Sequence, residues 1–414
     1  MTAVVDAQKH RPAELRCYWP AVLACFATAV FAWGFGFSGT SVYLAELHRL
    51  HGWSRGLIGA AITTYYLLGA VCMTLVHVAL RRAGPGRLLA AGTLLLGLGA
   101  TLFSRSEQPW QMFGAAVLMA VGWAGCTTAA IPSALAMYFE RQRGLAITLA
   151  LNGASAAGFT VGPILLILSQ TIGVENAVPL TALAALVIVL PLIGFGLREP
   201  PASGFSAAKP DSFAFAASGT LRSWRFWSVA LPFALALAAQ VGLIVHLVSF
   251  LLPHVGAEGA AGALATTSLA AISGRLALAT VIDRLPQRVA SAMSFASQAG
   301  GLALMLLFTN QPMALYAGCI IFGLSVGNVI TFPALIVQRE FPASVFGQVI
   351  GLSTAVTQFA YALAPALLGM IRDLTGGYVA VLLVCIGLQL AGAIVVLAGS
   401  RFPTSDLRTH QAAD

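Results

Sequence analysis

The sequence predicts an all-α membrane protein with twelve transmembrane helices in two pseudo-symmetric six-helix halves. Hydrophobic residues make up 58% of the 414 residues and charged residues only 9%, against about 25% charged residues in an ordinary soluble domain. Apolar runs long enough to cross a bilayer recur along the whole chain. One polar stretch divides these runs into two sets of six, and several residues recur at a fixed offset between the sets.

The apolar runs give the order of the predicted helices when hydropathy is averaged over about 19 residues. The first set comprises 20–46, 57–80, 88–104, 110–138, 145–169 and 178–197. The second set comprises 226–252, 260–282, 289–308, 313–337, 347–370 and 378–399. The polar stretch between them contains proline and serine and is typical of a linker. The predicted parts are an N-terminal half, 1–197, a cytoplasmic linker, 198–225, and a C-terminal half, 226–414.

The basic residues predict the direction in which the helices cross the membrane. Of the 22 lysines and arginines, 17 fall on the side that carries both termini, 4 fall on the opposite side, and Arg275 lies within a run. The positive-inside rule therefore predicts a multi-pass protein of the inner (plasma) membrane with both termini in the cytoplasm. Because these residues stand singly or in pairs at the ends of apolar runs, the net charge of +8 indicates topology and no nucleic-acid partner.

The two halves repeat each other at a fixed distance along the chain. Three pairs of residues, each separated by 202 positions, occupy matching places: Arg82 and Arg284, Gly125 and Gly327, Pro163 and Pro365. Parallel repeats of six spans build one large class of transporters, whose substrate site lies near the membrane midplane at the repeat interface.

Arg275 lies deep in the run 260–282, eight residues before Asp283. At about 1.5 Å per residue it is roughly 12 Å from the cytoplasmic end of its helix. An arginine at this depth costs at least about 2.5 kcal/mol, which favours a functional role. Its planar guanidinium matches a carboxylate through two parallel hydrogen bonds. Helical side chains lean toward their own N-terminus, which disfavours snorkelling to the cytoplasm, and structural pairing with carbonyls is the alternative.

The loops after the second and eighth runs carry related motifs, His77 to Arg87 and Ala279 to Arg288. They resemble the loop motif of the major facilitator superfamily, in which a glycine and three residues precede Asp-Arg, a further glycine and basic residues. The resemblance implies the major facilitator fold and a cytoplasmic gate latched by Asp283, Arg284 and, in the less well matched first copy, Arg82. Charges that only set topology are the alternative.

Three further segments resemble a narrower branch, the monocarboxylate-transporter-like proteins and their oxalate:formate antiporter relatives. The segments are Tyr138 to Ala146, Gly52 to Arg55, and Gly274-Arg275. The resemblance implies that Arg275 binds the substrate carboxylate. This chain lacks a membrane lysine, and Ala271 stands where some relatives have an acid. A single cation suits a single negative charge, because a dianion would enter with one charge unpaired.

Proton coupling must then use another group or be absent. His246 is the remaining titratable candidate, with a hydrogen-bonding core histidine as the alternative. Other polar side chains in the runs are candidate substrate contacts, and helix-to-helix hydrogen bonding is the alternative for each. They are Tyr43, Tyr65, Asn152, Gln240, Asn328, Gln358 and Tyr361.

These patterns predict a secondary active transporter that moves a small organic monoanion, monocarboxylate-like, by alternating access. Its expected partners are the anion, protons if transport is coupled, and the lipid bilayer, and we expect a monomer. No nucleophile, metal-ligand or paired-carboxylate constellation lies at membrane depth, so we expect neither an enzyme nor a cofactor. The alternatives are a proton-linked efflux antiporter for drugs or metabolites and a non-transporting membrane sensor or scaffold.

Overall fold

The computed structural model describes residues 14–127, 129–139, 142–198, 221, 223–279, 285–341 and 345–399. Every regular element in these ranges is helical, and they contain no strand. The predicted all-α class is therefore confirmed. The chain divides into two compact units, the first formed by Met1–His51 and Thr64–Ala208 and the second by Gly52–Thr63 and Lys209–Asp414.

The first unit is built from helices that follow one another through short turns. In chain order they are α1 (Glu14–Trp33), a π-helix (Gly34–Ser38), α2 (Gly39–His51), α3 (Arg55–Met73), α4 (Val76–Ala83), α5 (Pro85–Ser104), α6 (Pro109–Cys126), α7 (Ala130–Leu135), α8 (Arg143–Ile172) and α9 (Val174–Gly196). The start of α3, up to Thr63, belongs to the second unit. Helices α5 and α6 pack closely, because Gly92 and Gly125 bring their backbones together.

The second unit contains six further helices. They are α10 (Trp224–Ala279), α11 (Gln287–Leu307), α12 (Pro312–Val326), α13 (Phe332–Glu340), α14 (Phe346–Thr375) and α15 (Val379–Ala398). Its core is an apolar cluster that includes the buried rings of Phe226, Phe233, Phe295 and Phe332. These rings come from α10, α11 and α13, so the cluster joins helices that are far apart in sequence.

Ten helices in the described part of the chain are long and apolar enough to cross a membrane. One of them, Trp224–Leu278, has 55 residues, whereas one crossing needs about 20. It bends at Gly256, whose φ of 68° and ψ of −177° are not helical. Its two parts therefore correspond to the predicted spans 226–252 and 260–282, the second as far as Ala279. Helix α12 has 15 residues and is continued by α13. Together these account for twelve crossings.

Candidate functional site

The fourth helix of each half is broken at a matching place. In the first half α6 ends at Cys126 and α7 begins at Ala130; in the second half α12 ends at Val326 and α13 begins at Phe332. The repeated glycines Gly125 and Gly327 lie one residue before and one residue after these helix ends. Broken helices at corresponding positions of two repeats are typical of the substrate site of a transporter, because unwound backbone offers free polar groups.

Arg275 on α10 lies against the second break. A Cβ placed on Gly327 would lie 2.8 Å from the Arg275 Nε and 2.9 Å from Nη2, so the guanidinium occupies the space left by the missing side chain. The Nε is buried and has no hydrogen-bond partner in the described part of the chain. Nor does any salt bridge to Arg275 occur among the described residues. Its Nε is thus a donor without a partner in these ranges.

Close packing of α10 against α12 holds this arrangement in place. A Cβ on Gly274 would overlap the backbone of Leu324, so only glycine allows this approach. Asn328 lies in the break, and its Nδ2 donates hydrogen bonds to the carbonyl oxygens of Leu324 (3.2 Å) and Gly274 (3.4 Å). Its Oδ1 is buried without a partner among the described residues. The site therefore combines an unpaired donor on Arg275 with an unpaired acceptor on Asn328.

His246 is fully buried in α10. Its Nε2 lies 3.0 Å from the carbonyl oxygen of Pro365, which can only accept, so Nε2 carries the proton. Its Nδ1 lies 3.3 Å from the Tyr378 hydroxyl. Both ring nitrogens thus have partners in a neutral imidazole, an arrangement that suits the hydrogen-bonding alternative. The proton role of His246 stays a prediction.

Gln240 belongs to a chain of three buried glutamines on α10, α11 and α15. The Nε2 of Gln389 donates to the Oε1 of Gln298 (2.6 Å), whose own Nε2 donates to the Oε1 of Gln240 (2.8 Å). The Nε2 of Gln240 lies 3.5 Å from the Val326 carbonyl oxygen, at the end of α12. Gln240 therefore connects this chain of glutamines to the end of α12, where the helix breaks. A direct contact between Gln240 and the substrate stays a prediction.

Two predicted tyrosines of the first unit gather at the π-helix. Tyr43 is buried, and its hydroxyl donates a 3.0 Å hydrogen bond to the Phe35 carbonyl oxygen. Single turns of π-helix displace backbone bonds and often occur at functional sites. The Tyr65 ring packs edge-on against Trp123 with centroids 5.9 Å apart, and a Cβ on Gly36 would lie 2.5 Å from the Tyr65 hydroxyl. The π-helix itself was not predicted.

The remaining predicted residues lie at separate places. Asn152 on α8 is exposed, whereas Gln358 and Tyr361 on α14 are half-buried, and Arg82 is exposed in the last turn of α4. Tyr361 packs against the apolar cluster of the second unit. The latch residues Asp283 and Arg284 fall outside the described ranges. All these assignments stay predictions.

Two ion pairs, each with one buried partner, were not anticipated from the sequence. In the first unit, fully buried Glu46 pairs with Arg49 (2.8 Å) and accepts a 2.6 Å hydrogen bond from Gln170 of α8. In the second unit, the buried Arg288 forms two 2.7 Å bonds to Glu340. In the sequence, the only indication of the first pair was the position of Glu46 at the very end of the first apolar run.

Comparison with known proteins agrees with this architecture. The sequence profile of the Major Facilitator Superfamily matches residues 24–365. An uncharacterized MFS-type transporter, YcxA of Bacillus subtilis (strain 168), is 22% identical over 404 residues, which cover 92% of this chain and 95% of YcxA. Monocarboxylate transporter 11 of Mus musculus is 28% identical over 330 residues (76% and 72%), and monocarboxylate transporter 3 of Rattus norvegicus is 28% identical over 410 residues (92% and 78%).

Solved structures show the same fold at low sequence identity. The nucleoside transporter NupG superposes with a TM-score of 0.77 and 11% identity, covering 92% of this chain and 100% of NupG. A bacterial homologue of the lysosomal transporter Spinster, in an inward-facing and occupied conformation, gives 0.70 and 14%, covering 94% and 98%. With the profile match over most of its length and a fold of twelve crossings, the chain belongs to the Major Facilitator Superfamily of multi-pass membrane transporters.

Proposed function

We propose that the protein is a secondary active transporter that carries a small organic monoanion by alternating access, with Arg275 binding the anionic group. The observation that carries this proposal is the guanidinium of Arg275, which lies at a helix break within the membrane and has no ion pair among the described residues. Arg275 is half-buried, an unpaired charge within the membrane is costly, and a bound anion offsets that cost. The relatives named as monocarboxylate transporters support the same substrate class.

The groups around Arg275 favour a substrate with one negative charge. The side chains at the break are Gly327 and Asn328, and Ala271 lies one turn before Arg275 on α10. None of them adds a second charge, so one carboxylate neutralises the site. The unpaired Oδ1 of Asn328 can accept a hydrogen bond from a hydroxyl of the substrate. We therefore place short monocarboxylates, including hydroxylated ones, first among the candidates.

Coupling to protons belongs to this proposal as a second step. The candidates are His246 and Glu46, an imidazole and a carboxyl that are both fully buried inside the membrane spans of the described ranges. Glu46 already has Arg49 and Gln170 as partners, so its protonation would release a hydrogen-bonded ion pair. An inward proton gradient should then accelerate uptake of the anion, and the His246→Gln and Glu46→Gln variants would show which group responds.

The proposal is tested with purified protein, Arg275→Ala, Arg275→Lys and a control, Arg339→Ala, which removes an exposed arginine of the same unit. The readouts are the shift in melting temperature with a panel of monocarboxylates and counterflow in proteoliposomes. Wild type and Arg339→Ala should bind and transport the same anion. Arg275→Ala should lose about 10- to 150-fold in affinity, as expected for one charge-assisted pair, at an unchanged melting temperature without ligand. Arg275→Lys should recover part of the affinity, because lysine keeps the positive charge but lacks the planar pair of N–H donors.

Undiminished counterflow in Arg275→Ala would remove Arg275 from the site. Stabilisation by lipophilic cations instead of anions would indicate an efflux antiporter. Binding without counterflow in every liposome preparation would indicate a sensor.

A further inference from the structure

Two further arginines, separate from Arg275, line a cavity in the second unit. The cavity has a volume of about 280 Å³ and lies where the start of α3 and the middle of α10 meet the junction between α14 and α15. Arg55 and Arg372 supply its charges, and Phe250, Leu306 and Val379 supply part of its apolar wall. Under the charge-based topology this end of the unit faces away from the cytoplasm.

The two arginines flank one aromatic ring. The guanidinium carbons of Arg55 and Arg372 each lie 5.9 Å from the centroid of Tyr378. Arg55 is only 9% exposed, and its Nε and Nη1 are buried without hydrogen-bond partners among the described residues. The Nε of Arg372 is likewise buried and unpaired within those ranges.

The charges around this cavity do not balance. Asp373 is the acid that faces the pair, and it lies 3.6 Å from the Nη1 of Arg372. Its Oδ2, however, accepts a 2.7 Å hydrogen bond from the backbone N–H of Gly56, at the start of α3. Two guanidinium groups and one carboxylate leave one positive charge, and like charges brought together out of water repel each other. A single anion in the cavity would remove this repulsion.

We propose that this cavity is a second binding site for a small carboxylate monoanion, held between Arg55 and Arg372. The carboxylate oxygens accept from the two guanidinium groups that line the cavity, and the short alkyl body lies against Phe250, Leu306 and Val379. Planar guanidinium groups suit a carboxylate better than a spherical halide. The site is distinct from the Arg275 site and is occupied whether or not Arg275 binds substrate.

The test uses the full-length Arg275→Ala protein in lipid nanodiscs, so that binding at the central position is removed. Sodium acetate, propionate and butyrate are titrated against sodium chloride at equal ionic strength, and the melting temperature is followed. The carboxylates should raise the melting temperature saturably and chloride should not. Adding Arg55→Gln or Arg372→Gln should weaken the fitted affinity about tenfold or more, the loss of one charge-assisted bond. Adding Arg339→Gln, outside the cavity, should leave the affinity unchanged.

Three results would overturn the inference: no carboxylate-dependent shift in Arg275→Ala, an equal shift with chloride, or a shift that survives both Arg55→Gln and Arg372→Gln. Because Arg55 packs against its neighbours, a Gln variant that loses its fold is replaced by Arg55→Lys. The lysine keeps the charge and should lower the affinity less than Arg372→Gln does. These outcomes do not depend on whether Arg275 carries substrate, so failure of one site is distinguishable from failure of the other.

Discussion

Gly327 and Gly274, which both lie next to Arg275, make room for different groups, and an alanine substitution at each distinguishes their roles. A Cβ on Gly327 would lie 2.8 Å from the Nε of Arg275, the movable end of a flexible side chain. We expect Gly327→Ala to displace the guanidinium and raise the half-saturating concentration of the transported anion about tenfold, with a small change in melting temperature. Counterflow and thermal unfolding measure the two effects. An unaltered affinity would mean that the position of Arg275 against Gly327 is irrelevant to binding.

Gly274→Ala is the contrasting variant. There the Cβ would overlap the backbone of Leu324, which cannot move aside without separating α10 from α12. Overpacking of this kind costs about 1–3 kcal/mol, so we expect a clear loss of melting temperature. Gly327→Ala should therefore change mainly the affinity, because it displaces a side chain, and Gly274→Ala should change mainly the stability, because it displaces a helix.

The sequence was sufficient to single out Arg275, because a charge inside an apolar run is visible without any knowledge of contacts. It did not reveal the partners of Glu46 and Arg288. Gln170 lies 124 residues from Glu46, and Glu340 lies 52 residues from Arg288. Such pairs depend on which helices become neighbours, and hydropathy carries no information about that.

The bend in α10 depends on one glycine. Gly256 combines a φ of 68° with a ψ of −177°, a region of backbone space that is open almost only to glycine. We expect Gly256→Ala to cost about 1–3 kcal/mol and to lower the melting temperature. Gly300→Ala on α11 is the matched control, since a Cβ there meets nothing within 4 Å. Equal melting temperatures for the two variants would contradict the assigned strain.

Hydropathy predicted the apolar runs well and their interruptions poorly. The run 110–138 predicts one helix, but the structure divides it between α6 and α7, and a π-helix separates α1 from α2. The residues at these places, such as Gly34 and Gly36, are as apolar as their neighbours. A change in backbone hydrogen bonding leaves the average hydropathy unchanged, so only the structure could show it.

At the scale of the whole molecule, the repeat was visible in the sequence because the two halves have glycines at matching positions, 202 residues apart. Gly125 and Gly327 both prove to lie at helix ends. The membership of the start of α3 in the second unit was not visible, since 57–63 is as apolar as the rest of the run 57–80. Its assignment follows from contacts such as the bond from Gly56 to Asp373.

The distribution of positive charge leads to a prediction about topology. Because 17 of 22 basic residues fall on one side and 4 on the other, both termini should be cytoplasmic. A green fluorescent protein fused after Asp414 should be fluorescent, and alkaline phosphatase fused there should be inactive. A fusion truncated after Ser106, in the turn between α5 and α6, should show the reverse. Active phosphatase at the C-terminus would invert the topology and place the Arg55–Arg372 cavity on the cytoplasmic side, so carboxylates added outside sealed cells could not reach it.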